Sequence, residues 1–160
     1  MLEIETEDVL WFADHFLAEM AAILRLLGDE LANTRPRLAG ANSPFAIVTH
    51  CLGVMEFWAG AMIAGRSIGR DREAEFTATG AVDKLVDRVA AARCQLAADL
   101  DRLESLAPPR RPGQPRDAGL PFATTQGGAV LHVLEELGQH LGQLQLTRDL
   151  LVAEDEAGSA

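Results

Sequence analysis

The stretch 124–153, TTQGGAVLHVLEELGQHLGQLQLTRDLLVA, decides the fold of this chain. Apolar residues recur in it at intervals of three and four, which keeps them on one side of an α-helix: Val130, Leu134, Leu137, Leu141 and Leu144. A helix with one apolar side is stable only when other elements cover that side. The stretch therefore predicts a long helix at about 125–153 in an all-α domain.

A second row on the same helix consists of His132, Glu136 and His140, each four residues apart. With Val130 as the centre of the apolar side, His140 lies roughly 80° away and Glu136 roughly 120° away, whereas His132 is nearly opposite. Glu136 and His140 thus face the bundle from its flank, where a carboxylate and an imidazole one turn apart can share a metal ion. The row also fits a solvated face or a hydrogen-bonded pair, so a metal site needs a further ligand from elsewhere.

The composition is that of one acidic, helix-rich domain, 1–160. The chain is 48% hydrophobic and 24% charged, with no tyrosine, and its length allows a core that needs neither disulfides nor a metal. A formal net charge of −10 argues against binding nucleic acid or anionic membranes. We find no signal-peptide pattern and no charge-free apolar run long enough for a membrane span. Cys51 and Cys94 both fall inside helical patterns and are interpreted as reduced core thiols of a cytoplasmic protein.

Three further helices are expected at about 6–33, 44–64 and 80–106. Ser43-Pro44 is a strong start for the second of them, because serine caps the first turn and proline needs no N–H partner there. The third has one apolar face, and its charged residues, including Asp99, are expected to face outward. Together with the last helix, they predict a four-helix bundle.

Two polar connections join these helices. The segment 66–78 is expected to be a loop with a short irregular turn. The segment 108–121 is too rich in proline to continue a helix and is expected to be a crossover loop. Its arginines, Arg110, Arg111 and Arg116, either bind an anionic ligand or keep the surface soluble.

His50 interrupts a second helix that is apolar nearly all round. Its neighbours on the same face, Val54 and Phe57, are apolar, and an imidazole buried without a partner is costly. His50 must therefore be hydrogen-bonded, bound to a ligand or placed at an interface. His15 lies off the apolar side of the first helix and is expected at the surface or between subunits.

Two short motifs, one in the second helix and one in the fourth, carry a resemblance to a known family. The first motif is Asn42-Ser43-Pro44 leading into His50, with Gly53 and Trp58 behind it, and the second is the run 131–149, LHVLEELGQHLGQLQLTRD. Their order and spacing resemble the DinB/YfiT family of four-helix-bundle metalloproteins. The resemblance implies a divalent metal held by one residue of the second helix and two of the fourth, which are here His50, Glu136 and His140.

The glutamate in this set departs from the three histidines found in many members. It resembles the branch related to mycothiol-dependent maleylpyruvate isomerase, whose site has two histidines and a glutamate. Such a site suits Zn²⁺, and also Ni²⁺, Mn²⁺ or Fe²⁺. The resemblance implies a thiol-dependent S-transferase or isomerase, in which a metal-bound low-molecular-weight thiol such as mycothiol attacks a small-molecule electrophile.

Further residues near the expected site are candidates for supporting roles. An apolar pocket for an apolar electrophile is expected from Val54, Met55, Phe57 and Leu137. His132, one turn before Glu136, is a candidate for supporting a ligand or handling a proton. Gln143 lies on the same flank and is a candidate for orienting a ligand by a hydrogen bond.

Two alternatives to an enzyme remain open. In the first, the chain is a non-catalytic helical module whose histidines are structural. Leu131, Leu146 and Leu150 lie away from the main apolar side and predict a second buried surface, hence a homodimer. In the second, a stress-related protein binds a metal or a thiol without turnover.

Overall fold

A computed structural model describes residues 5–111, 113 and 117–158, and these residues form helices and loops without a β-strand. The α-helices are α1 (Thr6–Asn33), α2 (Pro44–Met55), α3 (Arg72–Glu75), α4 (Val82–Leu100) and α5 (Gln126–Gly158). A π-helical segment, Glu56–Ile63, directly continues α2. The predicted all-α bundle is confirmed, with α2 and the π-helical segment together forming its second long helix.

The second helix lies in the middle of the bundle. It packs against α1, α4 and α5, and α5 also packs against α1. As predicted, Ser43 caps its start: the Ser43 Oγ accepts a hydrogen bond from the Ala46 backbone N–H at 3.3 Å, and Pro44 occupies the first turn. Nearly every side chain of α2 is buried, so this helix carries His50 into the interior.

The segment Pro44–Ile63 is long and apolar enough to cross a membrane by length and composition alone. In the structure, however, 83% of its most apolar stretch is buried inside the bundle. A core helix surrounded by other helices has the same composition, because all of its faces are removed from water.

The ends of α4 and α5 differ from the sequence-based expectation. α4 ends at Leu100 instead of near 106, because the following backbone is bound by the start of α5. The Gln126 side chain accepts a hydrogen bond from the Glu104 N–H at 3.0 Å, and its backbone N–H donates to the Ala107 carbonyl at 2.9 Å. α5 runs on to Gly158 instead of ending at 153, and its Glu154 accepts a hydrogen bond from the Arg37 N–H at 2.9 Å.

Asp99 of α4 does not face outward, and that expectation was wrong. Its side chain is buried because Arg66 donates two hydrogen bonds to the carboxylate, at 2.9 and 2.7 Å. Two arginines of the crossover loop also have protein partners: Arg110 pairs with Glu104 at 2.6 Å, and Arg111 donates to the Gly65 carbonyl at 2.9 Å. Arg116 lies outside the described residues.

Candidate metal centre

His50, Glu136 and His140 meet where α2 packs against the flank of α5. His50 Nε2 lies 3.3 Å from Glu136 Oε2, and His140 Nε2 lies 3.1 Å from the same oxygen. The ligand atoms of all three residues lie within 4.8 Å of one another. Two of them share one helical row on α5, so the group depends on helix packing only for its third member.

The opposite nitrogen of each imidazole is held by a hydrogen-bond acceptor. His50 Nδ1 lies 2.7 Å from Glu75 Oε2, and His140 Nδ1 lies 2.7 Å from Gln143 Oε1. A carboxylate or amide oxygen can only accept, so each Nδ1 carries a hydrogen and donates it. In the neutral ring, each Nε2 then presents a lone pair towards Glu136.

This arrangement fits a cation. Two imidazole lone pairs and a carboxylate oxygen that point at one another repel unless a proton or a metal ion lies between them. Two histidine nitrogens and one carboxylate oxygen are also a ligand set that Zn²⁺ and other divalent first-row metals take in proteins. The residues present therefore fit the metal that the sequence motifs imply.

The pKa values in the site follow from the same contacts. Burial alone would lower the pKa of His50, but hydrogen bonds to Glu136 and Glu75 raise it above its ordinary value. When the two rings are protonated, the Nε2–H groups of His140 and His50 donate to Glu136 and hold the pKa of that carboxyl well below its usual range. Burial alone would raise the pKa of Glu75, but hydrogen bonds from His50 and Arg70 lower the pKa of that carboxyl below its ordinary value. Both carboxylates are therefore ionised acceptors at neutral pH.

Glu75 and Arg70 are functional candidates that sequence reasoning missed. They lie in the segment that was expected to be a loop, where the structure has the short helix α3 ending at Glu75. Arg70 donates to both oxygens of Glu75, from Nε at 2.7 Å and from Nη2 at 2.9 Å. The sequence does contain a local indication of α3: Asp71 caps this helix by accepting a hydrogen bond from the Ala74 N–H at 3.1 Å. That cap indicates a turn of helix but not its contact with His50.

His132 lies beside the group of three rather than within it. Its ring stacks on Phe122 with the ring centres 4.0 Å apart and meets the edge of Trp58 at 4.5 Å. Its Nδ1 lies 3.0 Å from Glu135, and its Nε2 lies 3.6 Å from Glu136 Oε1. His132, Glu135 and Glu136 form a second group of possible ligands, so Glu136 belongs to both.

A cavity of about 320 Å³ opens onto the site. It is lined by apolar and charged side chains: His50, Val54, Trp58, Arg70, Arg72, Asp117, Phe122, His132 and Glu136. The expected pocket was wholly apolar, and the structure places its four members differently. Val54 lines this cavity, Met55 lines a separate one against α4, Phe57 packs on Trp58, and Leu137 is fully buried in the core.

Comparisons with known proteins agree with this architecture. A family model described as the DinB superfamily matches residues 14–144. One solved structure, a conserved protein from Enterococcus faecalis, is similar with a TM-score of 0.70 at 16% identity, covering 95% of this chain and 99% of that chain. At this identity, the likeness shows the fold alone. No curated protein matches the chain.

Proposed function

The chain belongs to the DinB superfamily, and from this membership and the geometry around His50 we propose that it is a divalent-metal-dependent enzyme acting with a thiol. In this proposal, His50, Glu136 and His140 hold the ion, and Zn²⁺ suits them best, with Ni²⁺, Mn²⁺ or Fe²⁺ as the other candidates. An ion held there would lower the pKa of a water or thiol bound to it. The observation that carries the proposal is the convergence of two imidazole nitrogens, from His50 and His140, on Glu136 Oε2.

The proposed reaction is a thiol-dependent S-transfer or isomerisation, and the thiol comes from outside the chain. Cys51 is fully buried, and burial raises the pKa of its thiol, so it stays neutral and inaccessible. Cys94 is exposed on α4, so its expected place in the core was wrong, and it does not line the cavity beside the site. A low-molecular-weight thiol such as mycothiol fits the sequence resemblance, and its use implies a cytoplasmic setting in which thiols stay reduced.

The cavity beside the site is the proposed place of the electrophile. Its volume of about 320 Å³ is that of a small-molecule site. Val54, Trp58 and Phe122 form an apolar wall, whereas Arg72 and Asp117 supply charge, so the electrophile has an apolar part and a polar part. His132 stands at this wall and is the proposed residue for holding a proton beside Glu136.

Metal content tests the first half of this proposal. The measurement is plasma mass spectrometry on untagged wild type, His50→Ala, Glu136→Ala and Glu135→Ala, with helix content checked by circular dichroism. We expect about one divalent ion per chain, as for a single three-ligand site, in the wild type and in Glu135→Ala. Both ligand variants should lose it.

Two outcomes would contradict the assignment. A wild type that stays metal-free after incubation with Zn²⁺, Ni²⁺ or Mn²⁺ rules out the metalloenzyme. Loss of metal in Glu135→Ala with retention in His50→Ala moves the site to the group around His132.

Thiol consumption with a panel of electrophiles tests the second half of the proposal, thiol-dependent catalysis. The rates of wild type and Glu136→Ala are compared, and equal rates exclude catalysis at this site.

A non-catalytic dimeric module is the second candidate, and exposed leucines favour it. On α5, Leu131 is 56% exposed and Leu146 is 61% exposed, while Leu150 is partly buried. Phe12 of α1 and Leu131 both line one groove. Sedimentation of wild type and Leu131→Lys tests a homodimer through this surface. A dimer that the variant breaks, in a wild type without metal or turnover, supports this candidate.

A further inference from the structure

We propose that Glu75 is a positioning residue for His50. Its carboxylate is oriented by Arg70 and is given room by Gly53, and it keeps the imidazole hydrogen on Nδ1 so that Nε2 is free to bind a metal. The inference rests on the proposed metal site, but the contact on which it depends exists in the protein without a metal.

The Glu75 carboxylate is fixed on both of its oxygens. Oε1 accepts from Arg70 Nε at 2.7 Å, and Oε2 accepts from Arg70 Nη2 at 2.9 Å and faces His50 Nδ1 at 2.7 Å. The side chains of all three residues are buried. A buried ion pair contributes little net stability, because desolvation of both charges offsets their attraction. The Arg70–Glu75 pair is therefore better explained by its effect on the orientation of His50 than by a contribution to the stability of the fold.

Gly53 is the second, independent observation. It lies within α2, where glycine costs about 1 kcal/mol relative to alanine. A Cβ at this position would collide with the Glu75 carboxylate, at 2.7 Å from its Cδ and closer still to Oε1. The helix thus has no side chain at the place where Glu75 approaches His50.

The other tautomer of His50 would block the metal position. With its hydrogen on Nε2, the ring would donate to Glu136 Oε2, which is 3.3 Å away. That hydrogen would occupy the space between two of the three metal-binding atoms. Glu75 prevents this arrangement, because an ionised carboxylate accepts from Nδ1 and has no hydrogen to give.

Glu75→Gln tests the proposal because glutamine has only one oxygen. Arg70 is a donor only, so it takes that oxygen and turns the amide NH₂ towards His50 Nδ1. Nδ1 of His50 then accepts a hydrogen bond from this amide and from Arg70 Nη2, which lies 3.4 Å away. The hydrogen of the neutral imidazole therefore moves to Nε2. We expect ¹⁵N NMR of the metal-free protein, at a pH where the ring is neutral, to show this change. The dissociation constant for Zn²⁺ should rise about 10–100-fold.

Two further variants separate positioning from charge and from folding. Glu73→Gln removes the same charge from an exposed position of α3 and should keep the wild-type tautomer and affinity. Gly53→Ala removes no ligand and no charge and improves helix propensity. It should nevertheless change the His50 tautomer and weaken Zn²⁺ binding, because its Cβ displaces Glu75.

The outcomes distinguish this inference from the proposed function. If His50 keeps its hydrogen on Nδ1 in Glu75→Gln, or if the tautomer changes while Zn²⁺ affinity does not, the positioning role is overturned. If the wild type binds no metal but the tautomer still inverts in Glu75→Gln, the contact is supported and the metal-dependent function fails.

Discussion

The pKa of His50 makes the stability of the metal-free protein depend on pH. Its folded-state pKa is raised above the unfolded value of about 6.5, so protonation stabilises the fold. This contribution is complete below pH ~6.5 and is lost as the pH rises through the folded-state pKa. The lowered pKa values of Glu75 and Glu136 act below about pH 4.5 and do not change this window. In EDTA, the free energy of unfolding should therefore fall as the pH rises above about 6.5.

Urea unfolding at several pH values measures the slope of the unfolding free energy against pH. His50→Gln is the control, and it should remove the slope by removing the group that titrates. Saturating Zn²⁺ should reverse the sign in the wild type, because metal and protons compete for the same Nε2. A metal-free wild type with the same pH slope as His50→Gln would contradict the prediction.

Single residues also show how far the sequence predicts the site. The spacing of Glu136 and His140 follows from helical periodicity, and His50 is conspicuous as a polar residue on an apolar helix. Arg70 and Glu75 could not be identified in the same way. Their contacts with His50 span 25 positions for Glu75 and 20 for Arg70, and they depend on how a segment without hydrophobic periodicity folds back over α2.

At the scale of elements, the segment after α2 explains which pocket residues were misplaced. Neighbouring residues on an α-helix point ~100° apart, and here Val54 and Met55 line different cavities. From Glu56 to Ile63 the helix is π-helical, its turns are wider, and α-helical angles no longer apply. The sequence does not reveal this departure from α-geometry, because every position from Phe57 to Ile63 is buried and is apolar or small.

The ion pair between Arg66 and Asp99 joins the chain just after the π-helical segment to α4. Arg66→Met should cost about 3 kcal/mol of unfolding free energy, because it leaves the buried carboxylate of Asp99 without its cation. Arg93→Met is the matched control: it breaks an exposed pair with Asp14 and should cost only about 0.5 kcal/mol. Urea unfolding measures both, and equal costs would show that the burial of Asp99 carries no penalty.

At the scale of the whole molecule, the proposed metal joins two distant parts of the chain. His50 and Glu136 are 86 positions apart, on the central helix and on the last one. A metal that binds both of them in the folded state, and neither of them jointly in the unfolded chain, stabilises the whole bundle. Metal binding should therefore raise the free energy of global unfolding, and not only that of the local opening of one loop.

Zn²⁺ should raise the melting temperature of the wild type by an amount that mass action sets. At a free concentration of 100 times the dissociation constant, the stabilisation is about 2.7 kcal/mol. For a chain of this size, that corresponds to a rise of roughly 5–10 °C in Tm. Differential scanning calorimetry over a series of Zn²⁺ concentrations measures it, with Glu136→Ala as the variant that should not respond. A rise of the same size in Glu136→Ala would place the stabilising ion elsewhere on this acidic surface. A Tm of the wild type that does not change with Zn²⁺ would mean that α2 and α5 are held by packing alone.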